Sequence, residues 1–310
     1  MEKTQWTRLI KQKALSLGFN AIGIAQPELK EFDKAALELY LKNGYHASLH
    51  YLKNTIEQRR DIQLLFPGTK SIIIVLAFYL PEIKTNYSKF KIAYYTFSND
   101  YHYIVKSKLA ELLNYIKANI SNNIDGNIFC DTSPIFEKSY AVSAGLGWIG
   151  KHGLLIHPEL GSWVVIGGIA LNVELEYDRA LNLQCPTNCN ICINSCPTNA
   201  IVEPKIINAA KCVSYLTLEN KDPQLPHKNS TYYIAGCDIC QLVCPFNKRV
   251  SAQQNYFFKL QPHVYWTNDE WLTITTGRFK KFLSKTPISR IGLRALRRNI
   301  DAVKNNLFEN

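Results

Sequence analysis

Eight cysteines crowd into sixty residues: Cys185, Cys189, Cys192, Cys196, Cys212, Cys237, Cys240 and Cys244, with Cys130 standing apart. The amino-terminal stretch, residues 1–19, is amphipathic, with neither an apolar core nor a twin-arginine signal, so the chain is expected in the cytoplasm. Thiols at this density in a reducing compartment point to metal ligands rather than disulfides. The first group reads CPTNCNICINSCP and the second CDICQLVCP, and both end in C-x3-C-P. From Cys189 onward the first group fits the C-x2-C-x3-C-P portion of bacterial ferredoxins, whose last cysteine ligates the other cluster. That rule predicts one [4Fe–4S] cluster on Cys185, Cys189, Cys192 and Cys244, and a second on Cys196, Cys212, Cys237 and Cys240. Two spacings depart from the ferredoxin run: Cys185 precedes Cys189 by C-x3-C, and Cys212 lies far from Cys237. A pair of four-cysteine zinc sites is the alternative, although zinc does not call for the C-x3-C-P ending.

Adjacent clusters pass electrons singly, so the rest of the chain should hold what they reduce. Its 310 residues, 46% of them hydrophobic, suffice for roughly two packed domains. No apolar run reaches the ~20 residues that cross a bilayer. Helical periodicity over residues 7–17, 32–54, 101–118 and 135–144 alternates with strand-like runs at 20–25, 70–79, 154–156 and 163–171. A parallel or mixed sheet covered by helices is expected, with Ser133 and Pro134 opening the helix at 135. The expected divisions are 1–178, a cluster unit at 179–250 and a basic helical region at 251–310.

Residues 145–150 read Gly-Leu-Gly-Trp-Ile-Gly, which matches G-x-G-x-x-G, but a helix precedes them where a dinucleotide fingerprint needs a strand. Their glycines serve either close approach to a flat ligand or a tight turn at a helix end. Residues 271–310 carry nine Lys and Arg against Asp301 and Glu309, which is +7 of the net charge of +11. Arg290, Arg294, Arg297 and Arg298 recur at helical spacing opposite Leu296, Ile300 and Val303. One helix should therefore present a basic face, either to a phosphate backbone or simply to solvent.

Five segments in order carry a resemblance: GYHASLHYL with EQRRD and FPGTKSI within 44–72, NDYHYIVKSKL at 99–109, DTSPIFEKSYAVSAGLGWIGKHGLLIHPELGSW at 131–163, CVSYLTLE at 212–219 and GCDICQLVCPFNK at 236–248. The chain resembles the epoxyqueuosine reductase family over nearly its whole length. That resemblance implies an α/β cobalamin-binding domain, a two-cluster ferredoxin-like α+β domain and a short basic helical C-terminus. It implies an oxidoreductase that removes the epoxide oxygen of epoxyqueuosine at the tRNA wobble position. Cobalamin, two [4Fe–4S] clusters, an external low-potential electron donor and a monomeric state belong to the same expectation.

By resemblance, Asp131 is the general acid, and burial beside the corrin would have to raise its pKa. Its position before Ser133 and Pro134 also suits a helix cap. The resemblance places Arg59, Tyr101, Asp131, Gly150, Lys151, Leu155, Ile156, Gly161, Ser162, Cys237 and Asp238 around the cobalamin, and Arg290, Arg294, Arg297 and Arg298 against tRNA. His102 is expected as hydrogen-bonded scaffold rather than a cobalt ligand, Arg59 and Asp61 as a salt bridge at a helix end, and Cys130 as a buried neighbour of the site. The competing readings are a cobalamin-dependent reductive dehalogenase, a ferredoxin-type electron carrier and a zinc-stabilised nucleic-acid binder.

Overall fold

The computed structural model describes residues 2–83, 87–223, 225, 231–252 and 257–308, with the side chains of 305–308 left out. Its centre is a four-stranded sheet of β1 (Ala21–Ala25), β2 (Ser71–Phe78), β3 (Gly126–Phe129) and β4 (Val164–Leu171), ordered β1-β2-β4-β3. Every pairing is antiparallel, which corrects the expected parallel or mixed sheet. The misreading has a physical source. All eight residues of β2 are buried, and a strand covered on both faces reads as a continuous apolar run of the kind usual in parallel sheets.

Alternate residues of β2 enter two cores. Ile73, Val75 and Ala77 pack with Ile10 and Ala14 of α1 (Glu2–Ser16) and with Leu109, Leu112 and Ile116 of α3 (Tyr101–Asn119). Ile72, Ile74 and Leu76 face Tyr140, Ala141 and Ala144, at or just beyond α4 (Glu137–Ser143). Gly23 of β1 is required by this second layer, because a Cβ there would stand 2.2 Å from the Ala144 carbonyl oxygen.

The helix expected over 32–54 is interrupted. α2 (Glu31–Lys42) stops before Asn43, and Gly44 and Ala47 take positive φ, so the chain restarts only in short turns at Tyr51–Asn54 and Ile56–Arg60. The helix expected from 135 begins instead at Glu137, and its N-cap residue Phe136 makes no side-chain cap bond. Residues 130–135 form consecutive tight turns, in which the Thr132 amide bonds the Cys130 carbonyl and the Ile135 amide bonds the Ser133 carbonyl. These turns position Asp131 rather than cap a helix.

The carboxy-terminal region shares a core with the rest of the chain. Leu296, Ile300 and Val303 of α6 (Leu293–Phe308) are buried with Phe90, Phe97, Leu218 of α5 (Val213–Leu218) and Ile234. Arg290 lies outside this helix, on the 3-10 turn Pro287–Ile291, and Gly292 at φ 75° separates the two. The four arginines therefore do not share one helix. No helix among the described residues is long and apolar enough to cross a membrane.

Candidate active site

The segment before α4 and the start of α3 bring three groups together. Asp100 caps α3 by accepting the His102 amide at 3.0 Å, which places His102 on the first turn. His102 Nδ1 then lies 2.6 Å from Asp100 Oδ1, and Nε2 lies 2.9 Å from Asp131 Oδ2. Tyr101, stacked on the His102 ring, donates its hydroxyl to the same Asp131 oxygen at 3.0 Å. Asp131 adopts φ 59°, an uncommon conformation for a residue with a side chain, and its amide donates to Glu137 Oε1 at 2.6 Å. His102 is thus scaffold, as expected, and it is joined directly to Asp131.

The electrostatics differ from the expected raised aspartate. Burial pushes the Asp131 carboxyl up, but the hydrogen bonds from His102 and Tyr101 and the His102 charge outweigh it and hold Asp131 below the ordinary range. Burial works against charge on His102 as well, yet its bonds to Asp100 and Asp131 raise the imidazole to about 9. Glu137 moves the other way, since burial reinforced by the Asp131 charge raises it to about 8. At neutral pH the site therefore holds a proton between His102 and Asp131 and another on Glu137.

Asp131 opens onto a cavity of about 590 Å³, which is why its side chain keeps 48% exposure. Of the sequence-predicted cofactor residues, Arg59, Tyr101, Leu155, Ser162, Cys237 and Asp238 line the same cavity. Four do not. Lys151 Nζ is bonded to the Thr187 carbonyl at 2.8 Å and to Asn190, and Ile156 packs with Trp148 and Cys244. Gly161 abuts Asn247, and Gly150 lies behind the wall against Ile156 and His152. The glycine segment is a tight turn at a helix end, in which the Gly145 and Leu146 amides bond the Val142 and Ala141 carbonyls.

Arg59 and Asp61 form no ion pair with each other: Asp61 accepts the Gln63 amide at 2.8 Å, whereas Arg59 bonds Thr55 and faces Tyr51. Cys130 is fully buried, and its thiol donates to the Ile166 carbonyl. Sequence reasoning missed Glu137, Lys138 and His152, which also line the cavity. The consecutive polar residues Glu137, Lys138 and Ser139 gave no sign that Glu137 bends back to an amide six residues earlier.

All nine cysteines are free thiols. Burial raises Cys192, and the thiols that raise it further are Cys244, Cys185 and Cys189. Cys237, pushed up to about 12 by burial, also feels Cys212 and Cys196, and Cys240 feels Cys237 and Cys212. Coulombic influence thus links Cys192 with Cys185, Cys189 and Cys244, Cys237 with Cys212 and Cys196, and Cys240 with Cys237, Cys212 and Cys192. Among the described residues no three His, Cys, Asp or Glu form a group fit to hold a single metal ion. Cys196, Cys212, Cys237 and Cys240 line the cavity that holds Asp131.

Residues 184–247 match the 4Fe-4S double cluster binding domain, and residues 59–132 match Epoxyqueuosine reductase QueG, DUF1730. An epoxyqueuosine reductase of Cellulophaga algicola is 35% identical over 305 residues, covering 97% of this chain and 99% of its own. The chain belongs to the epoxyqueuosine reductase family. Membership of this family makes it an oxidoreductase with a double [4Fe–4S] domain. The fold agrees with solved structures of the family. A crystal structure of epoxyqueuosine reductase with an epoxyqueuosine-modified tRNA-Tyr stem loop matches with a TM-score of 0.88 at 27% identity, covering 96% of this chain and 80% of that one. A Bacillus subtilis epoxyqueuosine reductase, solved with its catalytic aspartate loop swung out of the active site, matches with a TM-score of 0.84 at 27% identity, covering 96% and 80%.

Proposed function

We propose that this chain reduces the epoxide of epoxyqueuosine at the tRNA wobble position to the alkene of queuosine, consuming two electrons and two protons and releasing water. The observation that carries this reading is that Asp131 and the four thiols Cys196, Cys212, Cys237 and Cys240 line one cavity. Proton delivery and electron delivery therefore meet on a single bound substrate. Cobalamin fits that cavity on three grounds. Val164, Val165 and Ile166 of β4 supply apolar wall, the second cysteine set forms another side, and a buried imidazole N–H on His152 has no protein partner. When bound, cobalamin in its reduced cob(I) state supplies a two-electron reductant for the epoxide.

The chain's residues do the rest. The two cysteine sets hold clusters that pass electrons from an external low-potential donor, one at a time. Asp131 faces the departing oxygen and hands it a proton drawn from His102, and Asp100 holds the far side of that ring. Glu137 carries the second proton. Arg59, Tyr101, Leu155, Ser162, Cys237 and Asp238 seat the cofactor.

The RNA approaches past Arg290, which pairs with Glu219 at 3.0 Å and lines a recess shared with Asp131 and Tyr101. Arg294 and Arg297 are exposed on α6 and meet phosphates, Arg297 with one guanidinium nitrogen already donated to the Ile274 carbonyl at 2.8 Å. Arg298 acts indirectly, because its guanidinium donates to the carbonyls of Leu216 and Asn220 and so holds the loop after α5. The protein works in the cytoplasm as a monomer, in three parts: a cofactor domain over 1–178, a cluster domain over 179–250 and a tRNA-contacting region over 251–310. Anaerobic reconstitution followed by incubation with an epoxyqueuosine-modified stem loop tests the reading. About eight iron and one cobalt per chain with conversion to queuosine are expected, and a metal-loaded protein that leaves the epoxide intact overturns it.

A further inference from the structure

The loop that joins the short strands Trp148–Ile149 and Leu155–Ile156 carries His152 into the cavity wall. Its geometry is fixed by its own backbone. The Gly153 amide bonds the Gly150 carbonyl at 2.9 Å, the Gly150 amide bonds the Leu154 carbonyl at 2.9 Å, and Gly153 turns the chain at φ 77°. His152 Nδ1 accepts the Leu154 amide at 3.2 Å, so the ring hydrogen resides on Nε2. Burial, with the Lys138 charge adding to it, lowers the imidazole to about 4, so the ring is neutral in the physiological range. His152 is only 4% exposed, and Nε2 has no hydrogen-bond partner.

Buried donors in folded proteins are almost always paired, so an unpaired one on a cavity wall marks where a ligand atom accepts. The surroundings preserve this aim. A Cβ on Gly150 would stand 2.6 Å from Ile156 Cδ1 and 2.9 Å from His152 Cε1, so glycine leaves room for both side chains. Lys138 Nζ, which could otherwise supply the acceptor's partner, donates to the Gly153 carbonyl at 2.7 Å. A neutral imidazole N–H offers one hydrogen bond to an oxygen lone pair, and a carbonyl oxygen suffices as its acceptor. The rim of a corrin carries carboxamide side chains whose carbonyl oxygens have that chemistry.

We propose that His152 Nε2–H is a cofactor-positioning donor that binds a peripheral carboxamide oxygen of cobalamin. The inference rests on the cobalamin reading of the cavity and extends it to one contact.

Equilibrium binding of cob(II)alamin to the full, cluster-reconstituted chain tests it, with cobalamin absorbance as readout and iron content as the control for folding. His152→Phe keeps the ring shape without the donor and should weaken binding about fivefold, as the loss of one neutral hydrogen bond implies. His152→Asn retains a donor and should recover part of that loss. Wild-type affinity in His152→Phe with iron intact overturns the proposal and leaves the cavity reading standing. A wild-type chain that holds both clusters and binds no cobalamin overturns the cavity reading, and the proposal with it.

Discussion

His102 Nε2 stands 2.9 Å from Asp131 Oδ2, and that single contact joins the first turn of α3 to the loop that precedes α4. It sets the resting protonation of the site, because the carboxylate raises the imidazole and the imidazole lowers the carboxylate. The proton is held by the pair rather than by an unusually weak aspartic acid.

Replacing Asp131 with Asn keeps an oxygen near His102 and Tyr101 but removes the carboxylate. Turnover of the modified stem loop should fall by about 10²–10⁴-fold, the usual contribution of a positioned acid. Iron content and cofactor spectra should stay unchanged. Retained turnover would mean that the proton comes from elsewhere.

The His102 shift has a sign that rate and stability measurements can read. Its folded pKa is raised from 6.5 to about 9, so its stabilising contribution is complete below 6.5 and is lost as pH rises through 9. Turnover should decline over the same upper limb. His102→Gln should remove the component near 9, leave the decline near 8 that Glu137 sets, and lower the rate at neutral pH; an unchanged profile would remove His102 from the proton path.

Cys185 carries the unusual first spacing. Cys185→Ser should reduce iron from about eight to about four per chain. Cys130→Ser, at a thiol that no cysteine set includes, should leave iron unchanged. Full iron in Cys185→Ser would show that another group completes the first set.

The arginines should separate by role. Arg290→Gln with Arg294→Gln should weaken stem-loop binding and reduce its salt dependence, each lost phosphate contact lowering the slope by about 0.7–0.9. Arg298→Ala should instead lower stability by about 1–3 kcal/mol, because it strips donors from the carbonyls at the end of α5. Thermal unfolding and salt-titrated binding distinguish the two.

The double-cluster domain over 184–247 was legible because the spacing of its cysteines is a local property of the chain. β1, β2, β4 and α3 were legible from periodicity for the same reason, whereas β3, only four residues long and just one of them buried, was not. Strand direction was not, since β2 buries both faces and its sequence carries no mark of antiparallel neighbours. Glu137 and His152 were not legible either. One depends on a bend back to the Asp131 amide, and the other on a cavity wall assembled from many distant segments. Arg298 looked like a surface charge because spacing reports which face a side chain leaves, and not which carbonyls a neighbouring loop brings beneath it.

On the proposed ligand assignment Cys192 and Cys196 hold different clusters, with only three residues between them. A chain advances at most ~3.6 Å per residue, so these two ligands cannot stand more than about 14 Å apart at the backbone. The gap an electron must cross is thus tethered by covalent bonds. Warming, loop movement or the arrival of a bulky RNA can alter when protons reach the substrate, while the spacing of the conducting pair stays bounded by the primary structure.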